Sequence, residues 1–203
     1  GLALKKSEKK LMVIPHVITR IQQDEKTEVS AGLDARYAIS QSLSSNLTVN
    51  PDFATVEADQ EQINLTRFEL QLSEKRNFFL EGSEIYSQRI RLFYSRRISD
   101  IHGGVKLYGK KDGYEYSAMT VQSKADDELD LDSANFSVFR LRKDVFKSST
   151  IGFLAANKLV GGRNFGSVGL DVVHFFSEKV NLTGQLALSY GDYAKKNLAF
   201  FLR

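Results

Sequence analysis

The feature that most constrains the fold is a long run of strict period-two alternation between residues 27 and 40. Apolar side chains occupy every second position from Val29 to Ile39, and polar or small side chains fill the positions between them. Successive side chains of a β-strand point to opposite faces, so this pattern predicts a strand of about fourteen residues. Soluble strands usually have about five or six residues, whereas a tilted strand that crosses a bilayer needs about nine to eleven. The length of the run therefore favours a membrane strand.

Similar alternation recurs along the rest of the chain, with short turns between the runs. We predict further strands at residues 10–22, 43–49, 89–99, 103–109, 114–120, 135–143, 149–158, 165–176, 180–190 and 197–202. Pro15 cannot donate to a neighbouring strand, so the first of these should lie at a sheet edge or carry a bulge. Asp112 and Gly113, placed between two alternating runs, are typical of a tight hairpin. The chain is thus predicted to be all-β, with about eleven or twelve strands in an antiparallel up-and-down meander.

The alternation also indicates what each face of the sheet meets. Apolar side chains dominate one face, and Gly, Ser, Thr, Asn and Gln dominate the other, which is the pattern of an outer-membrane β-barrel. A soluble β-sandwich or β-solenoid is the alternative, because alternation alone cannot distinguish a lipid-facing surface from one that packs on a second sheet.

Composition and motifs exclude several other classes of protein. The net charge is +3, from 28 basic and 25 acidic residues, which argues against nucleic acid as a partner. Without cysteine the chain can form neither disulfides nor Cys-ligated metal sites. His16, His102 and His174 are isolated and lack metal-ligand spacing. There is no Ser-His-Asp order and no nucleotide fingerprint, so we expect neither an enzyme nor a cofactor.

The regular alternation breaks in residues 49–82, which read VNPDFATVEADQEQINLTRFELQLSEKRNFFLEG. Charges of both signs cluster there, and we single out Asp52, Glu57, Asp59, Arg67, Glu74, Lys75, Arg76 and Glu81. Charges are costly on a lipid-facing surface, so these should lie in the lumen or at a rim. We predict that residues 50–86 form an irregular, inward-folded segment that plugs or constricts the barrel through arginine–carboxylate pairs. The alternative is a turn region whose charges are simply solvated.

Two other interpretations of the acidic residues are less favoured. Paired carboxylates could act as glycosidase acids, but spacing in sequence does not give their separation in space. The acidic run at residues 126–132 could ligate calcium, although it lacks the glycine and the spacing of a calcium loop. We therefore interpret this run as a solvated loop.

The order of short motifs around the irregular stretch resembles a known bacterial family. The motifs are VNPDF at 49–53, VEAD at 56–59, NLTRF at 64–68, EKR at 74–76, FFLEG at 78–82 and FYSRRI at 93–98. In this order they resemble the DUF5916-type outer-membrane β-barrel proteins, which are common in Bacteroidetes. In that family a family-9 carbohydrate-binding-like domain precedes the barrel. The resemblance covers roughly residues 28–160 and departs from the family pattern at Leu72, Ser73 and Asn77.

The resemblance implies a location and a set of partners. It implies a Gram-negative outer-membrane protein with a transport, binding or scaffolding role, linked to glycan handling through the upstream domain. Its expected partners are the lipid bilayer and lipopolysaccharide, with other outer-membrane proteins and glycans as candidates. Residues 1–203 would be a single β-barrel region, part of a larger barrel. The alternatives are a soluble carbohydrate-binding or accessory β-domain, and a structural subunit of a larger outer-membrane complex.

Overall fold

The computed structural model describes residues 10–20, 28–53, 72–126, 130–146, 148–191 and 197–203. Within these ranges the chain forms ten β-strands in a single sheet. They are β1 Leu11–Arg20, β2 Glu28–Ser40, β3 Leu43–Val49, β4 Ile101–Lys111, β5 Tyr114–Ser123, β6 Asn135–Val145, β7 Ser149–Val160, β8 Arg163–Ser177, β9 Val180–Tyr190 and β10 Leu198–Leu202. Each strand pairs antiparallel with the next along the chain, so sheet order equals sequence order. The predicted all-β, antiparallel up-and-down arrangement is confirmed.

The strands form where the alternation is strongest, and most of them are long. β2 has 13 residues and β8 has 15, well beyond the usual length in soluble sheets. Pro15 lies in β1, at one end of the sheet order, where its missing N–H leaves no partner unsatisfied. Asp112 and Gly113 form the predicted tight turn between β4 and β5. The long connection between β3 and β4 is the main departure from a plain meander.

Residues 89–99, which the alternation predicts as a strand, are not a strand. They belong to residues 72–100, which we call the inner segment. The inner segment contains an α-helix, Asn77–Leu80, and two 3-10 helices, Ser83–Tyr86 and Ser95–Arg97. Its backbone is satisfied partly by side chains of the sheet: Ile90 N–H donates to Gln185 Oε1 at 2.6 Å, and Gln185 Nε2 donates to Ile90 O at 2.7 Å. The described sheet therefore has ten strands, fewer than the predicted number.

The inner segment packs against one face of the sheet, and the hydrophobic core lies between them. We call this face the inner face and the opposite one the outer face. The inner segment contributes Phe78, Phe79, Ile85, Tyr86 and Ile98, and the sheet contributes Ile101, Met119, Val121, Val138 and Leu154. The rings of Phe78 and Phe79 meet edge to face with centroids 5.3 Å apart, an arrangement that stabilises aromatic pairs. The core thus belongs jointly to the sheet and to the long β3–β4 connection.

The turn between β4 and β5 makes one prediction for the fold. Gly113 has a φ of 74°, in the left-handed region, and an added Cβ would meet only ordinary contacts. Gly113→Ala should therefore lower the free energy of unfolding by about 1 kcal/mol, through backbone strain alone. Urea unfolding of the variant against the parent measures this. Lys111→Ala, two positions earlier, is the control and should change the free energy of unfolding by less; an equal loss would contradict the turn assignment.

Candidate functional site

The sheet combines two features that are unusual in a soluble protein: charged side chains are buried on the inner face, beside the core, and large apolar side chains are exposed on the outer face. On the inner face Lys106 is 0% exposed and Arg140 is 1% exposed. Their sequence neighbours on the outer face, Val105 and Phe139, are 44% and 43% exposed. Soluble domains almost never bury Lys or Arg fully unless the charge is paired. Each buried cation must therefore find partners in the inner segment or on the inner face.

Lys106 binds the end of the short helix in the inner segment. Its ammonium donates to the carbonyl oxygen of Phe78 and, at 2.5 Å, to that of Glu81. The last carbonyls of a helix have no intrahelical partner, and a lysine near the C-terminus can bind them. The ammonium also lies 5.3 Å from the centroid of the Phe78 ring. Lys106 thus attaches the helix of the inner segment to β4.

Glu81, directly after this helix, is the centre of a second polar cluster. Its carboxylate pairs with Arg36 of β2 and accepts a hydrogen bond from Asn46 Nδ2 at 2.5 Å. Tyr108 O–H of β4 donates to the same carboxylate at 3.3 Å. Charge-assisted hydrogen bonds of this kind are stronger than neutral ones. One carboxylate of the inner segment therefore links three neighbouring strands.

Glu74 and Arg76 form a buried pair within the inner segment. Arg76 donates to the Glu74 carboxylate from Nε at 2.9 Å and from Nη2 at 2.8 Å. It also donates to the carbonyl oxygens of Ile98 at 2.7 Å and Ser95 at 2.8 Å. Its guanidinium lies 4.3 Å from the centroid of the Phe79 ring. The pair therefore closes the inner segment by joining its first residues to its last.

The pKa of Glu74 reflects two opposing effects. Burial raises the pKa of this carboxyl. Hydrogen bonds from Arg76 and Ser95, together with the charge of Arg76, lower the pKa by more than burial raises it. The net pKa lies below the ordinary value of 4.5. Glu74 is therefore ionised at neutral pH and holds Arg76 as a true ion pair.

A third cluster joins the inner segment to β6 and β8. Arg140 donates to the Asp171 carboxylate from Nη1 at 2.5 Å and from Nη2 at 3.0 Å, and from Nε to the carbonyl of Ile85 at 2.9 Å. Gln88 Nε2 donates to Asp171 Oδ1 at 2.6 Å. Gly152 leaves room for the pair, since a Cβ there would lie 2.6 Å from both Arg140 Nη1 and Asp171 Oδ2. Bidentate geometry, with further hydrogen bonds to both the guanidinium and the carboxylate, is what makes a buried ion pair tolerable.

Tyr86 adds a neutral contact between the Arg140 cluster and the core. Its hydroxyl and that of Ser117 share a hydrogen bond of 2.5 Å. Burial raises the pKa of Tyr86 to about 12, while the bond with Ser117 acts in the opposite direction. The phenol therefore stays protonated across the physiological range and serves as a hydrogen-bonding group without charge.

The structure brings together part of the predicted polar cluster. Glu74 and Arg76 pair with each other, whereas Glu81 belongs to the separate cluster with Arg36. Asp52 and Lys75 are half-buried. The remaining predicted residues, Glu57, Asp59 and Arg67, lie outside the described residues. Arg76 is buried, so the alternative interpretation, a turn region with solvated charges, does not fit this residue.

Several strand residues of the site are missing from the sequence prediction. They are Lys106, Arg140, Asp171 and Gln185. Each occupies the polar position of an alternating strand, next to an exposed apolar neighbour. A charged or amide side chain at such a position could have indicated a site residue. Alternation alone, however, does not show which of these side chains is covered by another part of the chain. The covering segment supplies that information.

Other candidate chemistry finds no support in the described part of the chain. No group of three or more His, Cys, Asp or Glu residues among the described residues is placed to hold a metal ion. His16 Nε2 lies 3.1 Å from the carbonyl of Asn50, and His174 Nδ1 lies 3.0 Å from Ser149 Oγ. Within the same ranges, no helix is both long enough and apolar enough to span a membrane.

Comparison with protein-family models gives one match. Residues 9–125 match a domain of unknown function, DUF5916. The match covers more than half of the chain and includes β1 to β5, the inner segment and the Lys106, Glu81 and Arg76 clusters. Arg140 and Asp171 lie beyond it. No significant match was found among curated proteins or among solved structures.

The buried Arg76 makes a prediction for stability. Arg76→Met leaves the Glu74 carboxylate buried without its cation, which should lower the free energy of unfolding by about 3–5 kcal/mol. Lys110→Met is the control, because the Lys110–Asp144 pair is more than 40% exposed on both sides and should contribute only about 0–1 kcal/mol. Urea unfolding of both variants gives the comparison. Equal decreases in the free energy of unfolding would show that the buried Glu74–Arg76 pair stabilises the protein no more than the exposed pair does.

The lowered pKa of Glu74 predicts a pH dependence. Because its pKa is lowered on folding, the stabilisation is fully present above the ordinary value of 4.5 and is lost as the pH falls through the lowered pKa. Glu74→Gln should flatten this acid limb of the stability curve, at the cost of lower stability at neutral pH. Unfolding midpoints across the acid range measure the slope. Asp144→Asn, in the exposed pair, should leave the slope nearly unchanged; a slope insensitive to Glu74→Gln would refute the assignment.

Proposed function

The chain belongs to the DUF5916 family, and from that premise we propose that it forms part of the wall of an outer-membrane β-barrel. The inner segment would lie in the lumen and narrow it. The observation that carries this proposal is the contrast between the two faces of the sheet, with Lys106 and Arg140 covered on the inner face and Val105 and Phe139 exposed on the outer face. An exposed apolar outer face, with charged groups satisfied on the covered inner face, suits a protein whose outer solvent is lipid.

The outer face supports the proposal by its extent. Exposed large apolar residues occur on it in strand after strand: Leu47, Val105, Phe139, Ile151, Leu170, Leu186, Leu188 and Phe200. Soluble monomers rarely expose a continuous apolar patch of this kind. A soluble β-sandwich would need a second sheet to cover it, whereas a bilayer covers it without further protein. Strand lengths of 11 residues in β4, β6 and β9 also match a tilted crossing of the bilayer.

The connections between strands favour one orientation in the membrane. At one end of the sheet, β2–β3, β4–β5, β6–β7 and β8–β9 are joined by turns of two or three residues. Of the connections at the other end, β3–β4 and β5–β6 are much longer, and β7–β8 is a turn of two residues. Outer-membrane barrels have short periplasmic turns and longer extracellular loops. We therefore propose that the inner segment enters the lumen from the extracellular end.

The proposed role is passage or binding at the outer membrane, without catalysis by this region. The inner segment is held by three polar clusters, centred on Lys106, Glu81 and Arg140, and closed by the Glu74–Arg76 pair. So many attachments, most of them buried, favour a fixed constriction over a loop that swings open. Lipid and lipopolysaccharide would contact the outer face. Other outer-membrane proteins and glycans are proposed as further partners.

The proposal is tested first by location and by barrel behaviour. The protein, expressed with an outer-membrane export signal, should be recovered from detergent extracts of outer membranes and should migrate differently on a gel before and after boiling. Recovery from the soluble periplasmic fraction, with no shift on boiling, would overturn it and favour the soluble accessory domain. A porin and a periplasmic binding protein, carried through the same fractionation, are the controls.

Depth in the membrane provides a matched pair of variants on β9. Leu186 and Val180 lie on the same exposed face, but Leu186 is in the middle of the strand and Val180 is its first residue. An arginine on the lipid face costs about 2–4 kcal/mol at the bilayer midplane and about 0–1 kcal/mol near the interface. Leu186→Arg should therefore impair insertion into liposomes far more than Val180→Arg. Equal effects on the inserted fraction would argue against a lipid-facing outer face.

A further inference from the structure

A cleft lies between residues 91–98 of the inner segment and the inner face of β6 to β9. Its volume is about 600 Å³, in the range of sites for small molecules. Phe93 lines it from the inner segment, and Phe136 and Phe165 line it from the sheet. The three rings give the cleft flat apolar walls. None of the polar clusters described above requires this space.

Among the described residues, those that line the cleft and carry a charge are basic, and Asp130 and Asp132 line an adjoining cavity that shares Lys158 and Phe165. Arg91, Arg97 and Lys158 line the cleft, and among the described residues of its lining none is acidic. The guanidinium of Arg91 lies 5.3 Å from the centroid of the Tyr94 ring, and the ammonium of Lys158 lies 5.5 Å from that of Phe136. Contact with a ring face orients a cation but leaves its N–H donors able to bind an anion. The local charge therefore favours a negatively charged ligand.

The wall formed by the inner segment is held in place at Ile90 and at Leu92. Ile90 exchanges two hydrogen bonds with Gln185 of β9, at 2.6 and 2.7 Å. Ser167 Oγ donates to the carbonyl of Leu92 at 3.3 Å. The Leu92 side chain enters the space above Gly169, where a Cβ would lie 2.5 Å from Leu92 Cδ1. A cleft with fixed walls binds without first having to order the chain.

We propose that this cleft binds a small organic anion, a molecule with a flat ring and one carboxylate or phosphate group. The ring would pack between Phe93 and Phe136, and the anionic group would accept hydrogen bonds from Arg91 and Lys158. The inference rests on the proposed function, because such a ligand would reach the cleft through the lumen. It adds to that function a ligand class, ring-bearing anions.

The first test compares three ligands on the unaltered full chain in detergent micelles. Isothermal titration calorimetry is carried out with phenyl phosphate, with phenol and with inorganic phosphate. Phenyl phosphate should bind at least about tenfold more tightly than either of the other two, because only it carries both the ring and the charge. Equal binding of phenol, equal binding of inorganic phosphate, or no saturable binding of phenyl phosphate would each overturn the proposal.

The second test locates the site with charge-removing variants. Lys158→Gln and Arg91→Gln should each weaken the binding of phenyl phosphate by about tenfold, the loss expected for one charge-assisted hydrogen bond. Lys111→Gln is the matched control. Lys111 is the last residue of β4 and does not line the cleft, so this variant should leave the affinity for phenyl phosphate unchanged. Unchanged affinity in both cleft variants would overturn the location. If Lys158→Gln fails to fold, the affinity of the Arg91→Gln variant, at an exposed residue, and the three-ligand comparison decide the outcome.

The binding test and the membrane test fail separately. Binding is measured in micelles and needs no insertion, whereas the proposed barrel is tested by fractionation and by migration before and after boiling. Binding without membrane recovery would remove the proposed function and leave a basic, aromatic ligand site. Membrane recovery without binding of phenyl phosphate would remove the ligand inference alone.

Discussion

The structure depends on how the cations of the inner face are neutralised. Lys106 and Arg140 are fully buried, and a buried charge without partners would cost several kcal/mol. Lys106 is satisfied mainly by backbone carbonyls of the inner segment, and Arg140 by Asp171 and the carbonyl of Ile85. Without the inner segment the inner face of the sheet would lose the groups that cover these cations. The sheet and the segment are therefore parts of one folded unit.

The dependence also runs from the inner segment to the sheet. Its helix has only four residues, and isolated helices that short are not stable in water. Its remaining backbone gains partners from sheet side chains, as where Gln185 binds both the N–H and the carbonyl of Ile90. Phe78, Phe79 and Ile85 add the apolar contacts. An irregular chain can lie inside a polar lumen only when its backbone groups are satisfied in this way.

The same contacts explain why space remains beside the inner segment. Small residues such as Gly152 and Gly169 allow an ion pair and the Leu92 side chain to approach the sheet closely. Phe136 and Phe165 line the basic cleft that remains between the segment and the sheet. Small side chains on the inner face thus allow close contact with the inner segment at Gly152 and Gly169, and the cleft lies elsewhere on the same face.

Period-two alternation by itself determined most of the strands and their outward apolar positions, and the short turns determined most of the sheet order, because these depend on local geometry. Pro15 and the Asp112–Gly113 turn show how single residues specified an edge strand and a hairpin. The same reasoning was wrong for residues 89–99, because alternation does not show whether a neighbouring strand is available to pair. It identified Glu74, Arg76 and Glu81 as special charges but not their partners. Only the tertiary structure decided that Arg36, Lys106, Arg140 and Gln185 bind the inner segment, because those contacts join residues far apart in sequence across a buried interface.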